Sequence, residues 1–194
     1  MDGMDGLEVQ ACERCPDLVD SRSRIVNGVG PADADVLFVG EGPGEREDAE
    51  GEPFVGRSGA VLEEVLRDNG LARSDVRITN CVRCRPPENR DPTREELANC
   101  RPYLEAEIAA VDPAVLVSLG KVPSEHLLGR DVAITGEAGS IESIDVGGNR
   151  VDVLLCLHPA ATLYDRSQRT AFERVIEKAA TMAGTGDQST LGSF

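Results

Sequence analysis

The sequence predicts an α/β protein: a single-domain, three-layer αβα sandwich built on a mostly parallel, four-stranded sheet. Short apolar runs of strand length alternate with segments whose apolar residues recur at helical spacing, which is the pattern of a parallel sheet covered by helices. The 194 residues suffice for one hydrophobic core of ordinary size. No stretch has the composition of a linker that would divide the chain.

Four apolar runs are predicted to be the strands. Each is bounded by turn residues, and most are continuous enough to be buried on both faces, as in a parallel sheet. The second run, Val-Arg-Ile-Thr-Asn, alternates between apolar and polar residues instead. The predicted strands are 36–40, 76–80, 115–120 and 151–157.

Apolar residues three and four apart predict the helices that cover this sheet. The clearest start signal is Thr93 followed by Glu96, the pattern of a capping box. The predicted helices are 58–69, 94–111, 121–129 and 170–182, with a long loop at 40–59 and a hairpin over 132–146 around Gly136 and Gly139. We expect one domain over residues 1–183 and a flexible Gly-, Ser- and Thr-rich tail over 184–194.

The composition is strongly acidic, with 35 Asp and Glu against 20 Lys and Arg and a formal charge of −15. No apolar stretch approaches the roughly 18 residues of a membrane span, and 40% hydrophobic residues argue against disorder. The charge also argues against a nucleic-acid binder with the usual basic surface. Only Lys121 and Lys178 are lysines. Molar salt would screen the repulsion among the acidic residues beyond about 3 Å. An acidic chain with few lysines therefore predicts adaptation to a high-salt cytoplasm, as in halophilic archaea.

Six cysteines in a chain with an acidic, polar N-terminus predict metal ligands in a reducing cytoplasm rather than disulfides. Cys12 and Cys15 form a Cys-x2-Cys pair that needs two partners. Cys81 with Cys84, at the same spacing, or Cys84 with Cys100 would complete a four-cysteine site. Spacing alone leaves both sets open, and it does not distinguish zinc from an iron–sulfur cluster.

Polar and aromatic residues follow the predicted strands at their carboxyl ends, where open α/β sheets bind ligands. His158 comes directly after the fourth strand, and Asn80 ends the second. Phe54, in the polar loop after the first strand, either packs on the core or stacks on a flat ligand. That loop lacks the Gly-Lys-Ser/Thr of a nucleoside triphosphate site. We therefore predict one shared pocket for a ligand of another kind.

Three blocks, in this order, resemble the iron–sulfur, family 4 type of uracil-DNA glycosylase of archaea and thermophilic bacteria. They are GEGPGEREDAEGEPFVGRSG at 40–59, ITNCVRCRPPENRDPTREELANCRPYL at 78–104 and LHPAATL at 157–163. The likeness extends to about residue 183. It implies a DNA-repair hydrolase that flips uracil, formed by cytosine deamination, out of DNA and hydrolyses its N-glycosidic bond.

The resemblance also implies a [4Fe–4S] cluster and selects its ligands. The family's ligands correspond to Cys12, Cys15, Cys84 and Cys100. Cys81 and Cys156 are then packing residues. In this arrangement the cluster ties the N-terminal segment to residues 84–104, and the chemistry needs no redox step.

For the pocket, the resemblance implies that backbone groups of Gly40, Glu41 and Gly42 line it. Asn80 would read the edge of uracil and reject cytosine, whose edge has the opposite hydrogen-bonding pattern. Phe54 would stack on the flipped ring. These roles require the three segments to meet at one edge of the sheet.

The remaining pocket roles concern the departing base and the water. His158 would donate to uracil O2 as negative charge develops on it. Glu41 or Glu47 would activate the water, and we favour Glu41. The best-known uracil glycosylases carry an aspartate where this chain has Gly42, so the base is either a neighbouring glutamate or unnecessary.

DNA is expected to be held by local rather than net charge. Residues 83–101 contain five arginines against four acids, and Ala160 to Tyr164 would form a wedge that enters the duplex. The candidate DNA-contact residues are Arg57, Arg83, Arg85, Ala160, Tyr164 and Arg166. We expect a monomer.

The C-terminal residues match a peptide that binds the sliding clamp (PCNA). Gln188 would hydrogen-bond to the clamp, and Leu191 and Phe194 would enter an apolar groove; an idle tail is the alternative. For the protein as a whole, the alternatives are a non-catalytic iron–sulfur DNA-binding module, a family 5 type glycosylase of broader specificity and a zinc-bound nucleotide hydrolase.

Overall fold

The computed structural model describes residues 4–184 of the chain. Its strands are β1 (Met4–Asp5), β2 (Glu8–Val9), β3 (Val36–Gly40), β4 (Arg77–Asn80), β5 (Val115–Leu119), β6 (Ile141–Val146) and β7 (Asn149–Cys156). The main sheet has the order β4-β3-β5-β7-β6. Its neighbouring strands are parallel, except that β6 and β7 are antiparallel. The first two strands form a separate antiparallel pair.

Seven helices accompany the sheet within residues 4–184. They are α1 (Pro16–Ser21), α2 (Glu45–Glu50), α3 (Arg57–Asp68), α4 (Arg94–Val111), α5 (Lys121–Leu128), α6 (Ile134–Glu137) and α7 (Arg166–Met182). No helix in this part of the chain is long and apolar enough to span a membrane.

Two hydrophobic layers show why the chain folds as a sandwich. Along β3, Val36 and Phe38 pack with α3 and α7, whereas Leu37 and Val39 pack with α4 and α5 on the opposite face. Successive side chains of a strand point to opposite faces, so a continuous apolar run serves both layers. The three-layer αβα prediction is confirmed.

The sheet has five strands rather than the predicted four. The fifth, β6, lies entirely within the segment 132–146, which we expected to be a hairpin by itself. The hairpin is instead formed by β6 and β7 around Gly147 and Gly148, both of which have positive φ. Two adjacent glycines allow such a tight turn, and α6 occupies the place of the expected turn.

Helix starts follow their capping residues. Thr93 and Glu96 exchange the two predicted capping bonds at the start of α4 (3.2 and 2.7 Å), and the bounds of this helix match the prediction. By contrast, α7 begins four residues earlier than predicted, because Asp165 accepts from the Ser167 N–H at 2.8 Å and caps it. The 40–59 segment, expected to be a loop, contains α2 and the start of α3.

The register of the sheet brings the predicted pocket residues to one edge. Gly40, at the end of β3, is paired with Asn80, at the end of β4. His158 follows β7, and a Cβ added to Gly120, the residue after β5, would lie only 3.2 Å from the His158 Cβ. All these strands are parallel, so their carboxyl ends meet on the same side of the sheet.

Candidate functional site

A cavity of about 190 Å³ opens at this edge of the sheet. Its lining residues are Glu41, Gly42, Gly44, Glu47, Phe54, Ser58, Asn80 and His158. A larger open groove of about 650 Å³ lies beside α4 and α5, but it contains none of these residues. The structure thus brings together all five pocket side chains singled out in the sequence, and it adds Ser58.

Asn80 forms the floor of the cavity, and Gly40 packs against it from the paired strand β3. A Cβ added to Gly40 would overlap both the Asn80 Oδ1 atom and the Phe54 ring, so only glycine allows this packing. Asn80 is 3% exposed, and its Oδ1 has no hydrogen-bond partner among the described residues. A buried, unpaired carbonyl oxygen is costly, which makes Oδ1 a candidate acceptor for a ligand.

Phe54 forms one wall and is held in a strained position. Its φ of 55° lies in the left-handed region, which a non-glycine residue adopts only when its surroundings impose it. Arg73 donates to its carbonyl oxygen at 3.1 Å, and Gly59 lies so close that a Cβ there would overlap the same carbonyl. The Phe54 ring lies 5.9 Å from the His158 ring.

His158 is half-buried and has a defined tautomer. Its Nδ1 accepts the Ala160 N–H at 3.2 Å, so the proton of the neutral ring is on Nε2. Burial lowers the pKa of His158, and the nearby carboxylate of Glu47 opposes this only in part. A neutral imidazole at the pocket wall can therefore donate one hydrogen bond from Nε2 at ordinary pH.

The carboxylate of Glu47 is taken up by the backbone. Its Oε1 accepts from the N–H groups of Val55 (3.1 Å) and Gly56 (2.9 Å), and its Oε2 accepts from that of Gly44 (3.2 Å). Glu47 thereby joins the start of α2 to the loop that carries Phe54. Its first role is to position the cavity wall.

Glu41 is in a different situation, although it lines the same cavity. Burial raises its pKa to about 7, and the charge of Asp91 together with a hydrogen bond between the two carboxyl groups acts in the same direction. A carboxyl group that titrates near neutral pH is well matched to general-base catalysis. Nothing in the sequence pattern had drawn attention to Asp91.

A second cavity is lined by four of the six cysteines. Cys12 and Cys15 come from the N-terminal segment, Cys84 from the loop after β4 and Cys100 from α4. Cys81 and Cys156 are fully buried in the two hydrophobic layers. The structure therefore brings together the set that contains Cys100.

The surroundings of these thiols suit a negatively charged group. The lining of the cavity includes three arginines and no carboxylate. Arg22 donates to Cys84 Sγ at 2.9 Å and Asn99 donates to Cys15 Sγ at 3.6 Å; no motif had indicated these two donors. Burial raises the pKa of the Cys84 thiol, which Arg22 partly opposes.

The fit to a metal group rests on the donor set. Within residues 4–184, no three His, Cys, Asp or Glu side chains are already spaced as metal ligands. Four sulfurs that line one cavity are nevertheless the donors that iron–sulfur clusters and structural zinc use.

The candidate DNA-contact residues around the pocket are accessible, with one exception. Arg57 and Arg166 are exposed at the first positions of α3 and α7, and Tyr164 is 82% exposed. Ala160 is half-buried in the 3₁₀ turn Pro159–Leu163, which leads to Tyr164. Arg57 directly precedes Ser58 of the cavity lining, and the 3₁₀ turn directly follows His158.

The exception is Arg83, for which the DNA-contact prediction is wrong. Its side chain is 2% exposed and forms an ion pair with the fully buried Glu107 at 2.7 Å, which also binds Arg77 at 2.7 Å. Arg83 further donates to Asn27 at 2.8 Å and so ties down the N-terminal segment. Arg85 remains half-buried after β4. The clamp-binding candidates Gln188, Leu191 and Phe194 lie outside the described residues.

Comparisons with known proteins agree with this geometry. The sequence profile of the "Uracil DNA glycosylase superfamily" matches residues 27–180. The chain is 38% identical to the type-4 uracil-DNA glycosylase of Archaeoglobus fulgidus, with all of both chains covered. It is 45% identical to that of Thermotoga maritima over 82% of this chain and 81% of the relative.

A type-5 relative is less similar. The chain is 30% identical to the type-5 uracil-DNA glycosylase of Pyrobaculum aerophilum over 89% of each chain. The two type-4 relatives are more similar in sequence, and the match to the Archaeoglobus fulgidus relative covers both chains in full. The chain belongs to the uracil DNA glycosylase superfamily and, within it, to the type-4 uracil-DNA glycosylases.

Proposed function

We propose that this chain removes uracil from DNA by hydrolysing the N-glycosidic bond, which leaves an abasic site. The observation that best supports this is the Asn80 amide, buried on the cavity floor with an Oδ1 that is unpaired among the described residues. Uracil presents an N–H donor next to a carbonyl acceptor. Asn80 can accept from the first through Oδ1 and donate to the second through Nδ2.

Base selectivity follows from this pairing. Cytosine presents an acceptor and an amino donor at the corresponding positions, so it would leave the buried Asn80 atoms unpaired or opposed. A site built to hydrogen-bond a substrate rejects an analogue that cannot complete the bonds. The Phe54 ring offers the flipped base a stacking surface.

The leaving base carries negative charge as the bond to the sugar breaks. His158 is neutral with its proton on Nε2, so it can donate a hydrogen bond from Nε2 to uracil O2. Such a preorganised donor stabilises the transition state more than the ground state. Glu41 can take the proton of the attacking water.

A flipped nucleotide leaves the base stack, and apolar side chains inserted between base steps can hold the duplex in such a distorted form. Tyr164 and Leu163, at the end of the 3₁₀ turn after His158, are two of the three large hydrophobic residues exposed among residues 4–184. We assign them, with Ala160, to the wedge. Arg57 and Arg166 can bind the flanking phosphates.

The four cysteines Cys12, Cys15, Cys84 and Cys100 would hold a [4Fe–4S] cluster as thiolates. The cluster would supply a covalent tie between the N-terminal segment, the loop after β4 and α4, with no role in bond cleavage. Because the loop after β4 follows Asn80 directly, this tie would steady the cavity floor.

The test is base release from labelled oligonucleotides that contain U·G, U·A, single-stranded U or hypoxanthine, from millimolar to molar KCl. We expect release of uracil only, and retention of activity in molar salt, where phosphate-driven binding is largely lost. Binding without base release would favour the non-catalytic module. Hypoxanthine release would favour the broader, family 5 specificity.

The substitution Glu41→Gln is predicted to lower the excision rate roughly 10²-fold or more, the usual contribution of a general base. Because the pKa of Glu41 is about 7, the wild-type rate should rise as pH increases through this value, when the carboxylate forms. In Glu41→Gln the rise should disappear. Single-turnover rates from pH 5 to 9, roughly two units either side of that pKa, measure both effects.

Glu47→Gln is the matched comparison in the same cavity. It keeps one carbonyl oxygen for the backbone N–H groups but loses the other, so we expect a loss of stability of about 1–3 kcal/mol and a smaller effect on the chemical step. Near-full activity of Glu41→Gln would contradict the assignment of the base to Glu41.

We further propose that the C-terminal tail binds the sliding clamp. Removal of residues 188–194 should abolish clamp binding in a pull-down or titration with purified PCNA and leave excision from short oligonucleotides unchanged. The double substitution of Leu191 and Phe194 by alanine should have the same effect. Equal clamp binding by the full and truncated chains would refute the tether.

A further inference from the structure

Arg22 forms a bridge between two of the three cysteine-bearing segments. Its Nη1 donates to Cys84 Sγ at 2.9 Å, and its Nη2 donates to the Cys12 carbonyl oxygen at 2.7 Å. The two segments are therefore joined by a single planar guanidinium. A lysine has no such pair of donors in fixed geometry.

The backbone holds Arg22 firmly in this place. The short helix α1 begins directly after Cys15, and the Arg22 N–H closes it by donating to the Leu18 carbonyl at 3.0 Å. The next residue, Ser23, donates its N–H to both carboxylate oxygens of the buried Asp48 at 2.9 Å. The backbone at Arg22 and at the residue after it is thus fixed by hydrogen bonds, and the Arg22 side chain lines the same cavity as Cys15.

We propose that Arg22 is a positioning residue of the cluster site, holding Cys12 and Cys84 as neighbouring ligands and stabilising the negative charge of the bound cluster through Cys84 Sγ. This inference rests on the proposed [4Fe–4S] cluster. Hydrogen bonds to ligand sulfurs favour the more reduced, more negative form of a cluster and so raise its reduction potential. A guanidinium donor is charge-assisted and stronger than a neutral one.

Arg14 provides a matched control at the same cavity. It carries the same charge, but its guanidinium lies 4.8 Å from the Tyr103 ring centroid and donates to the Asn99 carbonyl at 3.2 Å. The two arginines therefore separate a hydrogen bond to sulfur from the mere presence of a positive charge. Methionine replaces either side chain with an apolar one.

The experiment compares wild-type, Arg22→Met and Arg14→Met holoproteins. The readouts are iron and sulfide content, the midpoint potential of the one-electron couple of the cluster, and the rate of iron loss to a ferrous chelator. For Arg22→Met we expect a potential at least 59 mV more negative, which is a tenfold change in the redox equilibrium, and iron loss at least tenfold faster. Arg14→Met removes a nearby charge but no hydrogen bond to sulfur, so it should change the potential and the rate of iron loss clearly less than Arg22→Met does.

Each outcome decides the proposal. Equal potentials and equal rates of iron loss in the two variants would overturn it. If Arg22→Met purifies without iron while Arg14→Met retains it, the positioning role is supported. In that case Arg22→Lys, which keeps the charge but not the paired N–H donors of the guanidinium, should retain iron yet lose it faster than wild type. If both methionine variants lose iron, Arg22 has no special role. A wild-type protein without iron refutes the cluster itself, while uracil release is scored separately.

Discussion

Alanine in place of Asn80 is expected to lower the rate of uracil excision roughly 10²- to 10³-fold, the range seen when one preorganised hydrogen-bonding group of an active site is removed. Among the described residues that line the cavity, Asn80 alone ends a strand, and it is 3% exposed. Its removal takes away the acceptor and the donor that read the uracil edge. Single-turnover rates at saturating enzyme measure the effect.

Thr79→Val is the control for Asn80. Thr79 precedes it on β4, is 1% exposed, and its Oγ1 is also unpaired among the described residues. Replacing a buried, unpaired hydroxyl by a methyl group of similar shape is close to neutral or stabilising, so both activity and unfolding temperature should be preserved. The Asn80 assignment fails if Asn80→Ala excises uracil as fast as Thr79→Val.

Alanine in place of Cys100 is expected to remove the cluster and much of the stability of the N-terminal segment. The brown colour of iron–sulfur proteins, with its absorbance at about 400 nm, should be lost. Binding of a structural metal group is coupled to folding, and each kcal/mol shifts the unfolding temperature by about 2–4 °C in a domain of this size. We therefore expect a fall of more than about 10 °C, measured by circular dichroism.

Cys156→Ala separates cluster loss from ordinary packing loss. Cys156 is fully buried in β7 and packs with α7 rather than at the cysteine cavity. Its truncation creates a small cavity in the core, which lowers stability moderately, but the colour and the iron content should stay. Iron retained by Cys100→Ala and lost from Cys156→Ala would refute the ligand set.

Several parts of the pocket could be predicted from sequence, for a local reason. Gly40, Asn80 and His158 each stand at the end of an apolar run, and parallel strands bring such ends to one edge. The start of helix α4 could also be predicted, because the side chains of Thr93 and Glu96 each accept a hydrogen bond from the other residue's backbone N–H within one turn.

The roles of the charged residues were harder to predict. Arg83 begins the arginine-rich segment 83–101 and was expected to face DNA, but it forms an ion pair with Glu107 of α4 in the interior at 2.7 Å. Glu47 was a candidate base, but the backbone N–H groups of Gly44, Val55 and Gly56 bind its carboxylate oxygens. In both cases the partner is distant in sequence or is a backbone group, so no side-chain pattern announces it.

The sequence by itself determined the fold class, the family and the residue types available for chemistry, because these depend on local periodicity and on short motifs that are recognisable in the sequence alone. Only the tertiary structure showed that the four cysteines without Cys81 line one cavity, which arginine donates to a sulfur, and which glutamate is not held by backbone N–H groups. These outcomes depend on desolvation and on contacts between segments many residues apart, such as Arg22 with Cys84 across 62 positions. The composition fixes the net charge of −15, but only the fold determines where each charged residue lies.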